Sequence, residues 1–252
     1  MNQKEIFYNQ IAIDYSCSEE DVKSEKNIFT QKKYLEGRRI FWADDCLLKV
    51  VCLGKKLIMS GEGEIVDWCK ENYQNASAAW FFKYENLRAL DEKLQSMGHK
   101  IGDTHHYYLP GGVEKNVQIP EEKGITFELF DQEFIEQFRG RNPYPEAFSF
   151  LEDSPDVICM VARMDGEIIG VAGASSDSEK MWQIGINVTP KGEHMGLGVA
   201  LVTRLKKEIL AKGILPFYGT SESHIRSQNV GIASGFIPAW AELYTVKKHI
   251  KM

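Results

Sequence analysis

Two glycines separated by one residue, Gly196 and Gly198, precede a stretch with a helical pattern. Glycine lets the backbone approach another group closely and adopt conformations closed to other residues. Successive backbone N–H groups that lead into a helix N-terminus attract an anion such as a phosphate. A lone Gly-x-Gly also suits an ordinary strand-to-helix turn. The surrounding residues therefore decide between an anion site and a turn.

The residues after Gly124 alternate between strand-like and helix-like patterns. "ITFELF" predicts a strand, "DQEFIEQFRG" a helix, and Asp165-Gly166 a hairpin between two apolar strands. A further strand, "MWQIGINVTP", ends at Pro190, and a helix follows the glycines. "LPFYGTS", "HIRSQNVGIASG" and "FIPAWAELYTV" predict a strand, a short helix and a final strand or bent hairpin. The glycines thus lie between a strand and a helix.

The first half of the chain predicts a second mixture of helices and strands. Apolar segments broken at Asp44-Asp45 and Gly54 predict strands. Two helical segments follow, and Gly98 stands where a helix commonly ends. "HKIGDTHHYYLP" predicts a strand that stops at Pro110. We therefore expect an α/β arrangement here as well.

The segment Pro110–Gly124 is rich in turn-forming residues and predicts a linker. It divides the chain into domains at 1–112 and 118–252. Two helix-ending glycines, Gly98 and Gly235, are each followed nine residues later by a tyrosine, Tyr107 and Tyr244. This spacing raises the hypothesis that the first domain is a degenerate copy of the second.

The stretch "INVTPKGEHMGLGVALV" resembles the pyrophosphate-binding segment of the GNAT superfamily of acyl-CoA-dependent N-acyltransferases. That pattern is a strand ending Val-x-Pro, then Arg/Gln-x-x-Gly-x-Gly/Ala, then a helix. Val188 and Pro190 match the strand end, and Gly196 and Gly198 match the glycines. Glu193 stands at the Arg/Gln position and departs from the pattern.

A later segment, "HIRSQNVGIASGF", resembles the helix of this superfamily that begins Asn-x-x-Ser and ends Gly-Phe. Ser227, Gly235 and Phe236 match, whereas His224 stands where Asn is commoner. The resemblance covers about residues 125–250. It implies a mixed, mostly antiparallel sheet flanked by helices. The first half looks like that of two-part bacterial members and implies a smaller α/β domain.

The resemblance implies that acetyl-CoA is a substrate and places its binding residues. Backbone amides at the glycines would face the pyrophosphate, and they belong to His194, Met195, Gly196, Leu197, Gly198 and Val199. The strand before them splays from its neighbour at a bulge in this superfamily. Its backbone at Ile186, Asn187 and Val188 would bind the pantetheine arm and thioester. His224 and Ser227 would contact coenzyme A or cap the short helix.

The resemblance also shows where proton-transfer groups are expected. A tyrosine often protonates the leaving thiolate from the position of Gly231 here, so the usual acid is missing. Tyr244, Ser227 and His224 are substitutes, although Tyr244 also suits packing on the sheet. Glu222, at the end of a strand, is the first candidate for the general base. Glu242 is the second, and either also suits an ordinary surface carboxylate.

Composition excludes several other classes. The net charge is −6 and no Lys/Arg block occurs, which argues against general nucleic-acid binding. No apolar run is long enough for a membrane span, and we expect no signal peptide. The odd number of cysteines favours a reducing, cytoplasmic setting. They are Cys17, Cys46, Cys52, Cys69 and Cys159.

No metal site is predicted, because His105 and His106 are adjacent in a strand and face opposite sides. Cys159 lies in an apolar strand and is interpreted as a core residue. The resemblance implies transfer of an acetyl group to an amine by direct attack. A small-molecule acceptor is expected, and a homodimer is left open. The competing hypothesis is a non-catalytic module that binds acyl-CoA as a regulator or binds nothing.

Overall fold

The chain forms two compact units in a computed structural model. The first unit contains the residues up to Tyr107 and those from Ala239 onward, and the second runs from Tyr108 to Pro238. The structure describes residues 2–40, 46–116 and 124–248. The predicted turn at Asp44-Asp45 lies outside these residues.

Two long strands contribute residues to both units. They are β4 (His99–Glu114) and β10 (Ser234–Lys247). The prediction that a strand stops at Pro110 is wrong, since β4 continues through it. Proline lacks only the N–H group, so a strand accommodates it where that bond is not needed.

The predicted linker Pro110–Gly124 is wrong in its first part, which belongs to β4. A Cβ atom at Gly111 or Gly112 would lie only 3.0 or 3.1 Å from side-chain carbons of Ile237 in β10. These glycines therefore permit a close approach of side chains instead of making a turn. The part at 117–123 lies outside the described residues.

The first unit combines helices with a short sheet. Its other elements are α1 (Gln3–Asp14), α2 (Glu19–Lys23), β1 (Ile28–Gln31), β2 (Leu48–Leu53), β3 (Lys56–Gly61), α3 (Glu64–Tyr73) and α4 (Tyr84–Ser96). β3 pairs in parallel with β1 and antiparallel with β2, and β2 pairs antiparallel with β10. Apolar residues of β2, β3, α3 and α4 form its core.

The units differ from the predicted domains, 1–112 and 118–252, at the carboxyl-terminal end. Residues 241–244 of β10 pair with residues 49–52 of β2, so backbone hydrogen bonds hold this part of β10 in the first unit. Such pairing joins residues far apart in sequence, which local patterns do not reveal. The two-domain division itself stays a prediction.

The second unit contains a mixed, mostly antiparallel sheet. Its elements are β5 (Thr126–Asp131), α5 (Gln132–Glu136), β6 (Asp156–Met164), β7 (Glu167–Ser175), β8 (Met181–Val188), α6 (Leu197–Ala211), β9 (Leu215–Thr220) and α7 (Ile225–Ala233). The strand order is β4-β9-β8-β7-β6-β5. Neighbours from β5 to β8 are antiparallel, and β8 and β9 are parallel. The predicted fold class is confirmed.

Helices cover both faces of this sheet. Met160 of β6 packs in one core with Leu201 of α6, whereas the adjacent Cys159 packs in another core with Ile135 of α5. Successive strand residues face opposite sides, so the two cores lie on the two faces. Asp165 and Gly166 join β6 to β7 with φ values of 53° and 80°, which confirms the predicted hairpin turn.

Candidate functional site

The loop after β8 makes one tight turn before the predicted cradle. Thr189 donates its backbone N–H to the carbonyl of Ile169, and residues 190–192 form a short 3-10 helix. A Cβ atom at Gly192 would overlap the carbonyl of Ile169 and lie 2.8 Å from Cδ1 of Leu197. Gly192 is therefore required for close packing of the loop. Sequence reasoning missed it because both contacts depend on the tertiary fold.

Two residues with a left-handed backbone conformation lie directly before α6. His194 and Gly196 have φ values of 62° and 74°, and Gly196 is the N-cap. Among the described residues no side chain caps this helix. The amides of the first three residues, Leu197 to Val199, have no acceptor within the helix, because the first helical bond is made by Ala200. A series of donors thus precedes a 15-residue helix, as an anion site requires.

The six residues predicted to face the pyrophosphate differ in what their side chains do. The side chain of His194 is exposed, whereas that of Leu197 is buried in the core beneath α6. A Cβ atom at Gly198 would make ordinary contacts with Val230 of α7, 3.4 Å away, and Val188 of β8, 3.9 Å away. Gly198 therefore faces α7, and its own φ lies outside the left-handed region. Its contribution to an anion site is its amide.

Glu193, the departure from the family pattern, is close to two basic side chains. One carboxylate oxygen lies 3.8 Å from Nη2 of Arg226 in α7, and the other lies 3.8 Å from Nε2 of His194. Arg226 is always charged and lies within ion-pair distance of this carboxylate, and both side chains are exposed to solvent in part. Local sequence patterns did not predict Arg226, because it lies 33 residues from Glu193 along the chain.

β8 and β9 separate next to this loop. Their parallel pairing runs from Met181 with Leu215 to Ile184 with Tyr218. β8 continues to Val188, where it is still paired with Gly170 of β7. The register between β7 and β8 is continuous, so the strands separate without the predicted bulge.

Three predicted residues, Ile186, Asn187 and Val188, lie on the part of β8 beyond its last pair with β9. All three are half-buried. A strand edge that has left its neighbour presents backbone donors and acceptors to an extended ligand. This edge leads directly into the loop before α6. Its location fits the predicted contact with an extended arm.

The side chain of Asn187 also has a role that the sequence did not predict. Its Oδ1 accepts hydrogen bonds from the backbone N–H groups of Glu146 and Ala147, both at 2.9 Å. A Cβ atom at Gly185 would overlap the carbonyl of Glu146, and one at Gly173 would overlap that of Ala147. Asn187 and two glycines thus hold the 146–147 segment against the sheet.

A tyrosine from β9 contacts α7. The hydroxyl of Tyr218 lies 2.8 Å from Oγ of Ser227, so these hydroxyls share a hydrogen bond. A Cβ atom at Gly231 would lie 3.0 Å from the Tyr218 ring. Burial raises the pKa of Tyr218 to about 12. His224 occupies the N-cap position of α7, but no side-chain cap bond from it is found in the described residues.

The proton-transfer candidates lie in different places. Glu222 is exposed in the turn between β9 and α7, and its carbonyl accepts a hydrogen bond from Nε2 of Gln228 at 2.8 Å. Glu242 lies in the first unit, where it is buried and ion-paired with Arg39 at 2.7 Å. It belongs to a buried ionic cluster and is not a surface carboxylate.

Tyr244 also lies in the first unit and is half-buried. Its ring covers Gly102, where a Cβ atom would lie 2.9 Å from ring carbon Cε2. Burial raises the pKa of Tyr244, and the Asp103 carboxylate raises it further. These contacts support the packing interpretation of Tyr244.

No cluster of three or more metal-ligating side chains occurs in residues 2–40, 46–116 and 124–248. Cys159 is fully buried, and burial raises the pKa of its thiol to about 12, as expected for a core cysteine. No helix within the described part of the chain is long and apolar enough to cross a membrane.

Comparison with known proteins gives one domain match. Residues 125–231 match the sequence model of the acetyltransferase (GNAT) family. This range contains β5 to β9, the loop after β8, α6 and most of α7. A search of curated proteins gave no match.

Solved structures with similar folds include several acetyltransferases. A GCN5-related N-acetyltransferase from Kribbella flavida is 14% identical, with a TM-score of 0.44 over 66% of this chain and 65% of the other. A tandem GNAT protein of clavulanic acid biosynthesis is also 14% identical, with a TM-score of 0.44 over 68% and 61%. An aminoglycoside N-acetyltransferase in complex with coenzyme A is 24% identical, with a TM-score of 0.34 over 45% and 92%. The similarity to the GNAT family rests on the sequence-model match, which covers residues 125–231, less than half of the chain.

Proposed function

We propose that this protein transfers an acetyl group from acetyl-CoA to an amine, because residues 125–231 match the sequence model of the acetyltransferase (GNAT) family. The acceptor is a small molecule, and its nitrogen attacks the thioester directly without a covalent enzyme intermediate. One observation carries the proposal. The edge of β8 that has left β9 leads into a left-handed turn and an uncapped helix N-terminus.

These features fit two parts of acetyl-CoA, the pyrophosphate and the pantetheine arm. The amides from His194 to Val199 suit an anionic pyrophosphate, because a helix N-terminus attracts negative charge. Arg226 reduces the repulsion between the Glu193 carboxylate and that anion. The backbone of Ile186, Asn187 and Val188 suits the amide-rich pantetheine arm. His224, exposed at the start of α7, is a further proposed contact with the coenzyme.

The chemistry proposed for this chain has two parts. A backbone N–H on the β8 edge stabilises the oxyanion that forms when an amine attacks the thioester carbonyl. Glu222 takes the proton from the attacking nitrogen, directly or through water. Neither Glu242 nor Tyr244 is retained, because the first is ion-paired and the second packs against Gly102.

Cysteine usage and net charge support the proposed cytoplasmic location and the proposed kind of acceptor. All five cysteines are free thiols, which suits a reducing cytoplasm. The net charge of −6 favours a cationic amine over nucleic acid as the partner. A homodimer is compatible with this proposal but is not required by it.

A second function has one observation in its favour. Gly231 supplies no phenol from α7, so a protein that binds acyl-CoA without transferring the acyl group is the competing proposal. Two measurements separate these functions. Calorimetric titration with acetyl-CoA reports binding, and thiol release from acetyl-CoA reports transfer to a panel of alkylamines, amino sugars and amino acids. We expect binding and amine-dependent thiol release. Binding without release on any amine would favour the regulatory module, and absence of binding would contradict both.

A further inference from the structure

Tyr218 occupies the point where β8 and β9 separate. It forms the last parallel pair with Ile184, and beyond this pair the two strands diverge. Its side chain is only 1% exposed and lies in the core with residues of α6 and Phe236. Its hydroxyl nevertheless reaches Oγ of Ser227, a half-buried residue in the first turn of α7. The ring is thus fixed by packing while the hydroxyl ends near the start of α7.

The Tyr218 ring fills the space that a side chain at position 231 would need. A Cβ atom built on Gly231 would lie 3.0 Å from Cδ1 and 3.3 Å from Cε1 of this ring. Side chains on a helix lean toward its N-terminus and cover the preceding turn. A long side chain at 231 would therefore extend toward residue 227. The Tyr218 hydroxyl ends at that same residue, although its backbone belongs to β9.

The surroundings keep this phenol protonated. Burial raises the pKa of Tyr218 to about 12, and the hydrogen bond with Ser227 lowers it by less. Tyr108 of β4 and the Glu146 carboxylate also raise the pKa of Tyr218. Glu146 comes from the segment that Asn187 holds over Gly185, the residue after the last β8–β9 pair. The phenol therefore carries its proton throughout the neutral and mildly alkaline range.

We propose that Tyr218, supplied by β9, is the proton donor to the sulfur that leaves acetyl-CoA, and that Ser227 positions its hydroxyl. This inference rests on the proposed acetyl transfer. Attack of the amine forms the C–N bond and moves the carbonyl π electrons onto oxygen. When this oxyanion re-forms the carbonyl, the C–S bond breaks, and sulfur takes that bond's electron pair together with the phenol proton. The proton lost by the amine nitrogen passes to Glu222 or water, and the phenolate regains one proton from solvent. The products are an amide and a neutral thiol, so atoms and charges balance.

The first test replaces Tyr218→Phe, which keeps the ring against Gly231 and removes only the hydroxyl. The matched control is Tyr108→Phe, another buried tyrosine whose ring centroid lies 6.4 Å from that of Tyr218. We expect Tyr218→Phe to lower kcat by about 100-fold, the lower end for loss of a general acid. The KM and calorimetric affinity for acetyl-CoA stay unchanged, and Tyr108→Phe leaves kcat unchanged.

A second test moves the phenol from the strand to the helix. Tyr218→Ala removes the ring and opens the space beside Gly231, so we expect loss of both stability and kcat. The double variant Tyr218→Ala/Gly231→Tyr fills that space from α7 and brings a hydroxyl back toward Ser227. We expect it to recover a large part of the lost kcat. A purely structural role for Tyr218 predicts recovery of stability without recovery of kcat.

The wild-type protein and the variants report on different claims. Absence of acetyl-CoA binding or of amine-dependent thiol release in the wild type would overturn the proposed function and this inference with it. Turnover by the wild type together with unchanged kcat in Tyr218→Phe would overturn only the role of Tyr218. An equal loss in Tyr108→Phe would also overturn it, because the effect would then follow from packing.

Discussion

Substitutions of single residues at the start of α6 can distinguish an anion-binding site from a simple turn. Gly198 is the less informative choice, because a side chain larger than a methyl group would extend toward Val230 of α7, which would already lie 3.4 Å from a Cβ atom at this position. Val199 is the third residue of the helix and is half-buried, and no acidic residue precedes it in the first turn. A negative charge at this position therefore stabilises the helix but repels a bound anion.

We expect Val199→Glu to weaken acetyl-CoA binding by at least about tenfold while the protein stays as stable as the wild type. A carboxylate in the first turn of a helix contributes about 0.3–1 kcal/mol of favourable energy, but it repels a pyrophosphate at the same place. Val199→Gln is the control, because glutamine has nearly the same shape as glutamate but carries no charge. Calorimetric titration and thermal unfolding measure the two effects. Unchanged affinity in the Glu variant would mean that the glycines make only a turn.

At the scale of elements, the outer part of β8 carries both the proposed ligand edge and the anchor of a neighbouring segment. Asn187→Leu removes the acceptor for the amides of Glu146 and Ala147. We expect a loss of about 1–3 kcal/mol in the free energy of unfolding, because two hydrogen bonds are lost. Hydrogen exchange at those two amides should quicken.

Asn187→Asp keeps an acceptor at the same place and serves as the control for the leucine variant. Its exchange rates at residues 146 and 147 should stay close to those of the wild type. Slow exchange in the leucine variant would show that Gly173 and Gly185 suffice to hold this segment. The close fit of the segment over these two glycines, and not the hydrogen bonds of Asn187, would then hold it against the sheet.

Local sequence signals predicted most individual elements of this chain. The hairpin at Asp165-Gly166 and the strand and helix around Gly196 follow from residue types within a few positions. Contacts between distant residues could not be predicted in this way. Examples are the Tyr218 ring against Gly231 and the Glu193 carboxylate beside Arg226. Each depends on which elements the fold brings together.

At the scale of the whole molecule, each compact unit has its own core, and the first contains a buried ionic cluster. Arg39 donates from Nε to Asp14 at 2.5 Å and from Nη2 to Glu242 at 2.7 Å. Tyr15 donates to the same Glu242 oxygen at 3.1 Å. Burial alone would lower the pKa of Arg39, but the two carboxylates outweigh it and raise that pKa. One guanidinium thus ion-pairs with two carboxylates, and Glu242 joins the end of β10 to this cluster.

We expect Arg39→Leu to lower the free energy of unfolding by about 3–5 kcal/mol at neutral pH, because it removes the guanidinium that ion-pairs with two buried carboxylates. Arg38→Leu, at the neighbouring half-buried arginine, is the control. Denaturant unfolding at neutral pH measures the difference, and a loss no larger than that of Arg38→Leu would contradict the role of the buried ion pairs.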